Sequence, residues 1–226
     1  RMIGTVIMAH ADDDGLVLPP RIAPTHIVIL PVIPKEQHRE PVLAAANDLA
    51  AKLKALRFHD DRLTVKVDDR DLNGGVKNWE WIKKGVPIRV EIGPRDLEKG
   101  SVAVVRRDKG PKDKAFLPTD DFVDQALSTL QEIQDGLYER ALAFREAYTV
   151  SIDTKEAFYD FFQNEKSAGG FAVAHWAGTN EDEDAIKKDL QVTIRCLPCD
   201  ERYDEEGTCF YTGKPSSKRI VFAKSY

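Results

Sequence analysis

Residues 68–97, DDRDLNGGVKNWEWIKKGVPIRVEIGPRDL, decide how the chain is read. Asn73, Gly74 and Gly75 are a turn signal, followed by a basic run around two tryptophans: Lys77, Trp79, Trp81, Lys83 and Lys84. Residues 87–92 then alternate, apolar side chains on one face with Arg89 and Glu91 on the other, which predicts a strand that Gly93-Pro94 stops. Cations beside aromatic rings suit a splayed single-stranded RNA loop, because Lys and Arg hold phosphates while bases stack on flat side chains. A plainer reading stands beside this one. Trp79 and Trp81 are two apart and cannot share a helix face, so at least one is equally well placed in a core.

Upstream, residues 15–24 hold three prolines without periodicity and read as an extended linker. The β-branched run 25–32 fits a buried strand, and residues 1–8 fit either a strand or the buried start of a helix. Within 41–57, Val42, Ala46, Leu49, Leu53 and Leu56 recur at three- and four-residue steps, the apolar stripe of a helix. Residues 63–67 alternate as a strand, and 79–84 form a brief helix. Downstream, 101–106 is a strand and 108–114 a charged loop with Gly-Pro at its tip. This order predicts an α/β unit with a mixed sheet covered by helices.

Thr119 can cap the next helix. Phe122, Ala126, Leu130, Ile133, Leu137, Ala141 and Phe144 give it one long stripe, read as a spoke between two domains. Asp153 with Glu156 resembles a capping box opening a further helix that carries Phe158, Phe161 and Phe162, and Gly169-Gly170 ends it. Strands 171–175, 192–196 and 219–223 and the acidic helix 181–190 complete a small α/β module.

With 42% hydrophobic and 31% charged residues among 226, the composition is that of a globular protein with a real core. No apolar run approaches the roughly 20 residues a membrane span needs, so no membrane partner is expected. Three cysteines argue against a disulfide framework and for a reducing cytoplasm. The first residue is Arg1, not Met, which reads as a piece whose natural start lies upstream. The net charge of −5 is unpromising for an RNA binder, but its distribution matters more. Residues 77–114 hold eleven Lys or Arg against six Asp or Glu. The acid is concentrated in 181–184 and 200–206.

Asp12-Asp13 and Asp68-Asp69 are paired acids, but they sit in turn-like contexts and read as caps or solvated groups, not as catalysts. The five histidines are scattered, and neither a P-loop nor a nucleophile elbow is present. Cys196, Cys199 and Cys209 look like three quarters of a zinc site, or three free thiols, the reading preferred here.

The run DDRD…EW…KGVPIRVEIGPRDLEKG resembles the anticodon-binding domain of prolyl-tRNA synthetases of the archaeal and eukaryote-like type. Residues 10–32, 141–158 and the terminal RIVFAKSY resemble the same family in the same order. The resemblance implies the end of a class II catalytic domain and a linker at 1–24, and an anticodon-binding domain with a mixed five-stranded sheet at 25–118. It places a connecting helix at 119–150 and a small α/β C-terminal domain at 151–226. The intact enzyme would attach proline to its tRNA using ATP and magnesium, as a cytoplasmic homodimer paired through the catalytic domain, and would not bind DNA. This piece would not be catalytic.

Residue by residue, the resemblance makes Arg1 a contact to the ATP triphosphate. It makes Arg70, Lys77, Glu80 and Trp81 anticodon-binding residues, and it sends the carboxylate of Tyr226 toward the active site. Prolyl tRNAs share guanines at the second and third anticodon positions. Arg and Lys can donate to guanine O6 and N7, and a carboxylate can accept from N1–H and N2–H. Two departures stand out: the loop before Lys77 is one residue short, with Asn73-Gly74-Gly75 in place of an Arg-Pro-Gly-aromatic stretch, and Ile82 replaces a usual Glu. In zinc-containing members, four thiolates fall at positions matching Ala177, Asp182, Cys209 and Thr212, so zinc is not expected and apolar contacts should hold the module. Phe171, Val173, Trp176, Ile194, Ile220 and Phe222 are the candidates. A replacement site from Cys196, Cys199, Cys209 and His175 or Asp200 would need a ligand no landmark supplies. A reading from another class is a non-catalytic RNA- or protein-binding module that reuses the anticodon-binding fold.

Overall fold

The computed structural model describes residues 1–110, 113–164 and 169–224, and the chain divides into two compact units, Arg1–Ala141 and Leu142–Tyr226. In the first, helix α1 (Met2–Ala9) and the hairpin β1 (Ala11–Asp12) and β2 (Gly15–Leu16) lead to strand β3 (Ile27–Pro31) and helix α2 (Arg39–Lys54). A second small hairpin follows, β4 (Arg57–Phe58) and β5 (Asp61–Arg62), then strand β6 (Val65–Val67), helix α3 (Gly74–Lys83) and strand β7 (Ile88–Ile92). Helix α4 (Pro94–Lys99), strands β8 (Ser101–Arg106) and β9 (Lys114–Pro118) and helix α5 (Thr119–Ala147), which runs past the boundary at Ala141, complete the order.

Five strands form one mixed sheet in the order β6-β3-β7-β8-β9. Strand β3 runs parallel to β6 and β7, while β8 runs antiparallel to β7 and β9. Every residue of β3 is buried because both faces are covered, which is why its sequence is uniformly apolar. Ile27 and Ile29 join Ile88, Val90, Val102 and Val104 under helices α2 and α5. Val28 and Leu30 pack on the other face against Trp81 of α3 and Val86. The predicted stripes hold: Val42, Ala46, Leu49 and Leu53 of α2 and Phe122, Ala126, Leu130, Ile133 and Leu137 of α5 are all in the first core.

Several details differ from the sequence reading. Residues 1–8 are neither a strand nor a buried helix start: α1 has no buried residue, and Met2, Ile3, Ile7 and Met8 are exposed. Part of the expected linker, Gly15–Leu16, pairs with Ala11–Asp12. Helix α3 begins at Gly74, five residues earlier than expected. The apolar stripe of α5 stops contributing after Leu137, since Ala141 and Phe144 are exposed. The fifth strand, β9, was not read from the sequence. It is an edge strand exposed over most of its length, so burial imposed no alternation on it.

Gly85 links α3 to β7 at a φ of +69°, the left-handed conformation that ends many helices. An added Cβ would lie 2.7 Å from the backbone of Leu16. Gly85→Ala is therefore expected to cost about 1–3 kcal/mol, from the backbone conformation and the contact together. A urea midpoint equal to that of the unaltered chain would contradict this.

The second unit holds strand β10 (Thr149–Ser151), helix α6 (Lys155–Gln163), strand β11 (Phe171–His175), helix α7 (Asn180–Leu190) and strand β12 (Val192–Cys196). A short hairpin, β13 (Gly207–Thr208) and β14 (Pro215–Ser216), precedes strand β15 (Arg219–Lys224). The sheet order is β10-β11-β15-β12, with β10 and β11 parallel and the other pairs antiparallel. Thr154, not Asp153, caps α6: its Oγ1 accepts from the Ala157 N–H at 3.2 Å. Asp153 instead pairs with Arg219 at 2.6 Å. The core gathers Phe158, Phe162, Phe210, Ile220 and Phe222, with Trp176 and Ile194 packed against it. Val173 is buried too, but Phe171, expected in the core, is 38% exposed at the start of its strand.

Candidate nucleic-acid interface

Asp68 directly follows β6, and its N–H extends the ladder by donating to the Ile29 carbonyl at 2.9 Å. That register turns its carboxylate inward, where it is 1% exposed. Three donors meet it. Arg70 reaches back two residues, with Nε on Oδ1 at 2.8 Å and Nη2 on Oδ2 at 2.7 Å. The Trp81 indole Nε1 donates to Oδ2 at 2.7 Å from the buried face of α3. The same Arg70 Nη2 also donates to Glu80 Oε2 at 2.9 Å. Lys77, one turn before Trp81, sends its Nζ to the Asp68 carbonyl at 3.0 Å. One acid thus fixes three of the four expected anticodon-binding residues directly, and Glu80 through Arg70. The Arg70 guanidinium, followed by the Trp81 N–H, holds the Asp68 carboxyl far below the usual carboxylate range, against the opposing effect of burial. Asp68 and Glu80 in turn raise Arg70 further above its ordinary value.

Helix α3 owes its position to local chemistry. Asn73 caps it, accepting from the Gly75 N–H at 2.8 Å, and a Cβ at Gly75 would crowd that cap, 3.2 Å from the Asn73 Oδ1. Residues 77 and 81 are one turn apart, so both point inward. The structure therefore corrects the expectation for Trp81. Its ring is 4% exposed, packs with Val28, Leu30 and Val86, and has the Lys84 and Lys66 ammonium groups over it at 4.6 and 5.2 Å. It cannot stack on a base without leaving that core. Trp79 is the exposed ring at 43%, with Lys83 over it at 5.5 Å. Lys77 is also buried, at 6% exposure, but only one of its three ammonium protons is committed to Asp68.

A groove of about 400 Å³ lies beside this cluster, lined by Pro31, Lys35, Arg39, Arg70, Asn73 and Lys77 among others. It opens where parallel strands β3 and β6 end, the position at which open α/β sheets characteristically bind ligands. Lys35, Arg39, Arg70 and Lys77 supply its cations and Glu36, Asp69 and Asp71 its carboxylates, while Glu80, outside the lining, is tied to the same Arg70. This is the donor and acceptor set a guanine edge requires.

The remaining candidates are dispersed. Arg1 is exposed at the start of α1. Tyr226 lies outside the described residues; the strand before it, β15, ends at Lys224. The paired acid Asp12 is engaged by Arg107, with Nη1 on Oδ2 at 2.7 Å and Nη2 on Oδ1 at 2.5 Å. Sequence reasoning passed over Asp68 as a solvated turn acid. An acid immediately after a strand, with Arg two residues on and a tryptophan in the next helix, was the available signal.

The residues matching the zinc positions do not fit a zinc ion. Ala177 offers no ligand atom, and Asp182 is spent capping α7, its Oδ2 accepting from the Thr179 N–H at 2.8 Å. Cys209 is buried and accepts at Sγ from the Thr212 N–H at 3.5 Å. Burial pushes its thiol up, but hydrogen bonds from Thr212, Ala177 and Tyr211 outweigh that and leave it below its ordinary value. Cys196 and Cys199 are exposed. Among the described residues, no group of three His, Cys, Asp or Glu is placed to hold a metal ion. Nor is any described helix long and apolar enough to cross a membrane.

Comparison with known proteins bears on the two units rather than on the residues of the site. A family model described as an anticodon binding domain matches residues 26–129. A second, described as prolyl-tRNA synthetase, C-terminal, matches residues 159–226. The chain is similar along its whole length to proline–tRNA ligase 2 of Anaeromyxobacter dehalogenans, at 50% identity over 46% of that protein. It is likewise similar to the proline–tRNA ligases of Akkermansia muciniphila, at 48% identity, and of a Roseiflexus species, at 46%, each over 45% of the relative. The chain spans a little under half the length of these curated relatives.

Proposed function

We propose, for a chain that belongs to the prolyl-tRNA synthetase family by its anticodon-binding and C-terminal domains, that it holds proline tRNA by the anticodon loop in the groove beside Asp68. The observation that carries this reading is that Asp68 fixes Arg70 by its carboxylate and Lys77 by its carbonyl, with Glu80 held on Arg70, and that Arg70 and Lys77 line that groove. A preset guanidinium and carboxylate lose little side-chain freedom on binding, so their hydrogen bonds favour the correct base edge without a large ordering cost. Trp79 with Lys83 supplies an exposed ring and a cation on the same helix for stacking and phosphate contact.

In the whole protein, the reaction would be ATP- and magnesium-dependent attachment of proline to this tRNA, with pairing of two copies through a catalytic domain, in the cytoplasm. The relatives' names as proline–tRNA ligases support the joining of proline to tRNA, and the family resemblance alone suggests the cofactors, the pairing and the compartment. No zinc is expected in this chain's C-terminal unit, because, of the positions that the resemblance matches to the family's thiolates, only 209 holds a cysteine.

Binding should be weak and strongly salt-dependent, because phosphate neutralisation supplies most of the affinity. Lys77→Ala and Glu80→Ala should reduce discrimination at the two guanines. Footprints of equal strength on proline and unrelated tRNAs, unchanged by either substitution, would contradict the proposal.

A further inference from the structure

Strand β7 alternates, and its odd member is Arg89. Ile88, Val90 and Ile92 enter the core under α2 and α5, so Arg89 points to the opposite face, which α3 covers. It is 3% exposed. Its Nε donates to the Asn78 Oδ1 of α3 at 2.7 Å. Its Nη1 is enclosed and has no hydrogen-bond partner among the described residues. The neighbouring cations are compensated: Arg107 is held by Asp12 and the Ile82 carbonyl, and Arg106 by Asp108 and Glu132. No described carboxylate lies within ion-pair distance of Arg89, and Glu91, the next acid on its strand, is taken by Lys114 at 2.7 Å. Burial, and then the Arg107 charge, outweigh the partial support of the Glu91 charge and bring Arg89 down to about 10, so it remains charged at neutral pH.

A cavity of about 20 Å³ opens at this point, lined by Asp14, Ile82, Arg89, Arg106, Arg107 and Lys109. That is room for one water-sized group. A water would satisfy the free N–H but leave the buried charge uncompensated, which is the more costly defect. An anion corrects both. Asp14, the only acid among the described lining residues, is exposed, so solvent screens its opposition.

We propose that Arg89, with Arg107 beside it and Lys109 at the rim, is a site for one phosphate group, which inserts a single oxygen toward Nη1 while Lys109 holds an outer oxygen. The group comes either from free phosphate or from the RNA backbone, and only the second source rests on the RNA-binding reading.

The test is nitrogen-15 NMR of the arginine Nε–Hε signals of the full chain. Sodium phosphate is titrated against sodium chloride at fixed ionic strength, and the Arg89 signal is assigned by its loss in Arg89→Lys. The expected result is a saturable shift of the Arg89 signal, with affinity two- to fivefold weaker in Lys109→Ala, the range for one exposed charge pair. No shift, or one that grows without saturating, overturns the proposal. Should Arg89→Lys fail to fold, the Arg89 signal is assigned through its own side-chain and backbone resonances, and the Lys109→Ala titration read on it still decides the proposal, because the Lys109 side chain is exposed. The source follows from the salt dependence of binding to a proline-tRNA anticodon stem-loop. A slope reduced by about one in Lys109→Ala supports an RNA phosphate. An unchanged slope alongside saturable phosphate binding supports the free anion.

Discussion

Asp68→Ala is expected to lower the stability of the first unit by about 2–4 kcal/mol, because it removes charge-assisted bonds and strands a buried indole N–H. The side chain is 1% exposed and takes three hydrogen bonds, two from Arg70 and one from Trp81. Arg70 can turn into solvent when its partner is lost, so most of the cost comes from Trp81, which cannot. Asp68→Asn should fall between, since an amide oxygen can still accept from Trp81 but its NH₂ would oppose Arg70. The pH dependence follows from the depressed carboxyl. Its contribution is complete above the unfolded value of about 3.9 and is lost as pH falls below that toward the lower folded value. Urea midpoints should therefore separate the unaltered chain and Asp68→Ala at neutral pH and converge in strong acid. Equal midpoints at pH 7 would refute the role given to Asp68.

The second large effect is expected in the other unit. Phe158 has no exposed surface and stacks on Phe210 at 4.2 Å, with Phe162 and Phe222 edge-on at 4.9 and 5.2 Å. Phe158→Ala should cost about 3–5 kcal/mol, the range for emptying a packed aromatic site. A unit of this size is only marginally stable, so that loss is comparable with its whole stability. The β11 and β15 amides should lose hydrogen-exchange protection, while those of β3 and β7 keep theirs. Leu197→Ala, at a site 65% exposed, is the control and should change little. Protection in β11 and β15 that survives Phe158→Ala would show that something other than this aromatic cluster holds the unit.

Much of this was legible in the chain because burial leaves a pattern. Strand β3 is apolar at every position since both its faces are covered, and the α5 stripe repeats because one face meets the sheet. Strand β9 left no such mark, being an edge strand that is mostly exposed. The site was legible as a stretch, not as roles. The spacing of Trp79 and Trp81 shows that they face apart, but only the phase of the whole helix from Gly74 tells which is buried. That phase puts Lys77 with Trp81, so two residues expected to face RNA also serve the inner face of α3. Arg89 shows the same limit from the other side. Alternation placed it on the face opposite the apolar residues, but not that a helix covers that face.

The central claim is that the chain reads the anticodon of proline tRNA at the groove beside Asp68. The most direct measurement is the affinity of the unaltered chain for two transcripts at one salt concentration: proline tRNA, and the same tRNA with its second anticodon guanine changed to adenine. The account predicts at least about tenfold weaker binding to the second, the worth of a lost charge-assisted hydrogen bond. Equal affinity for the two transcripts would contradict it.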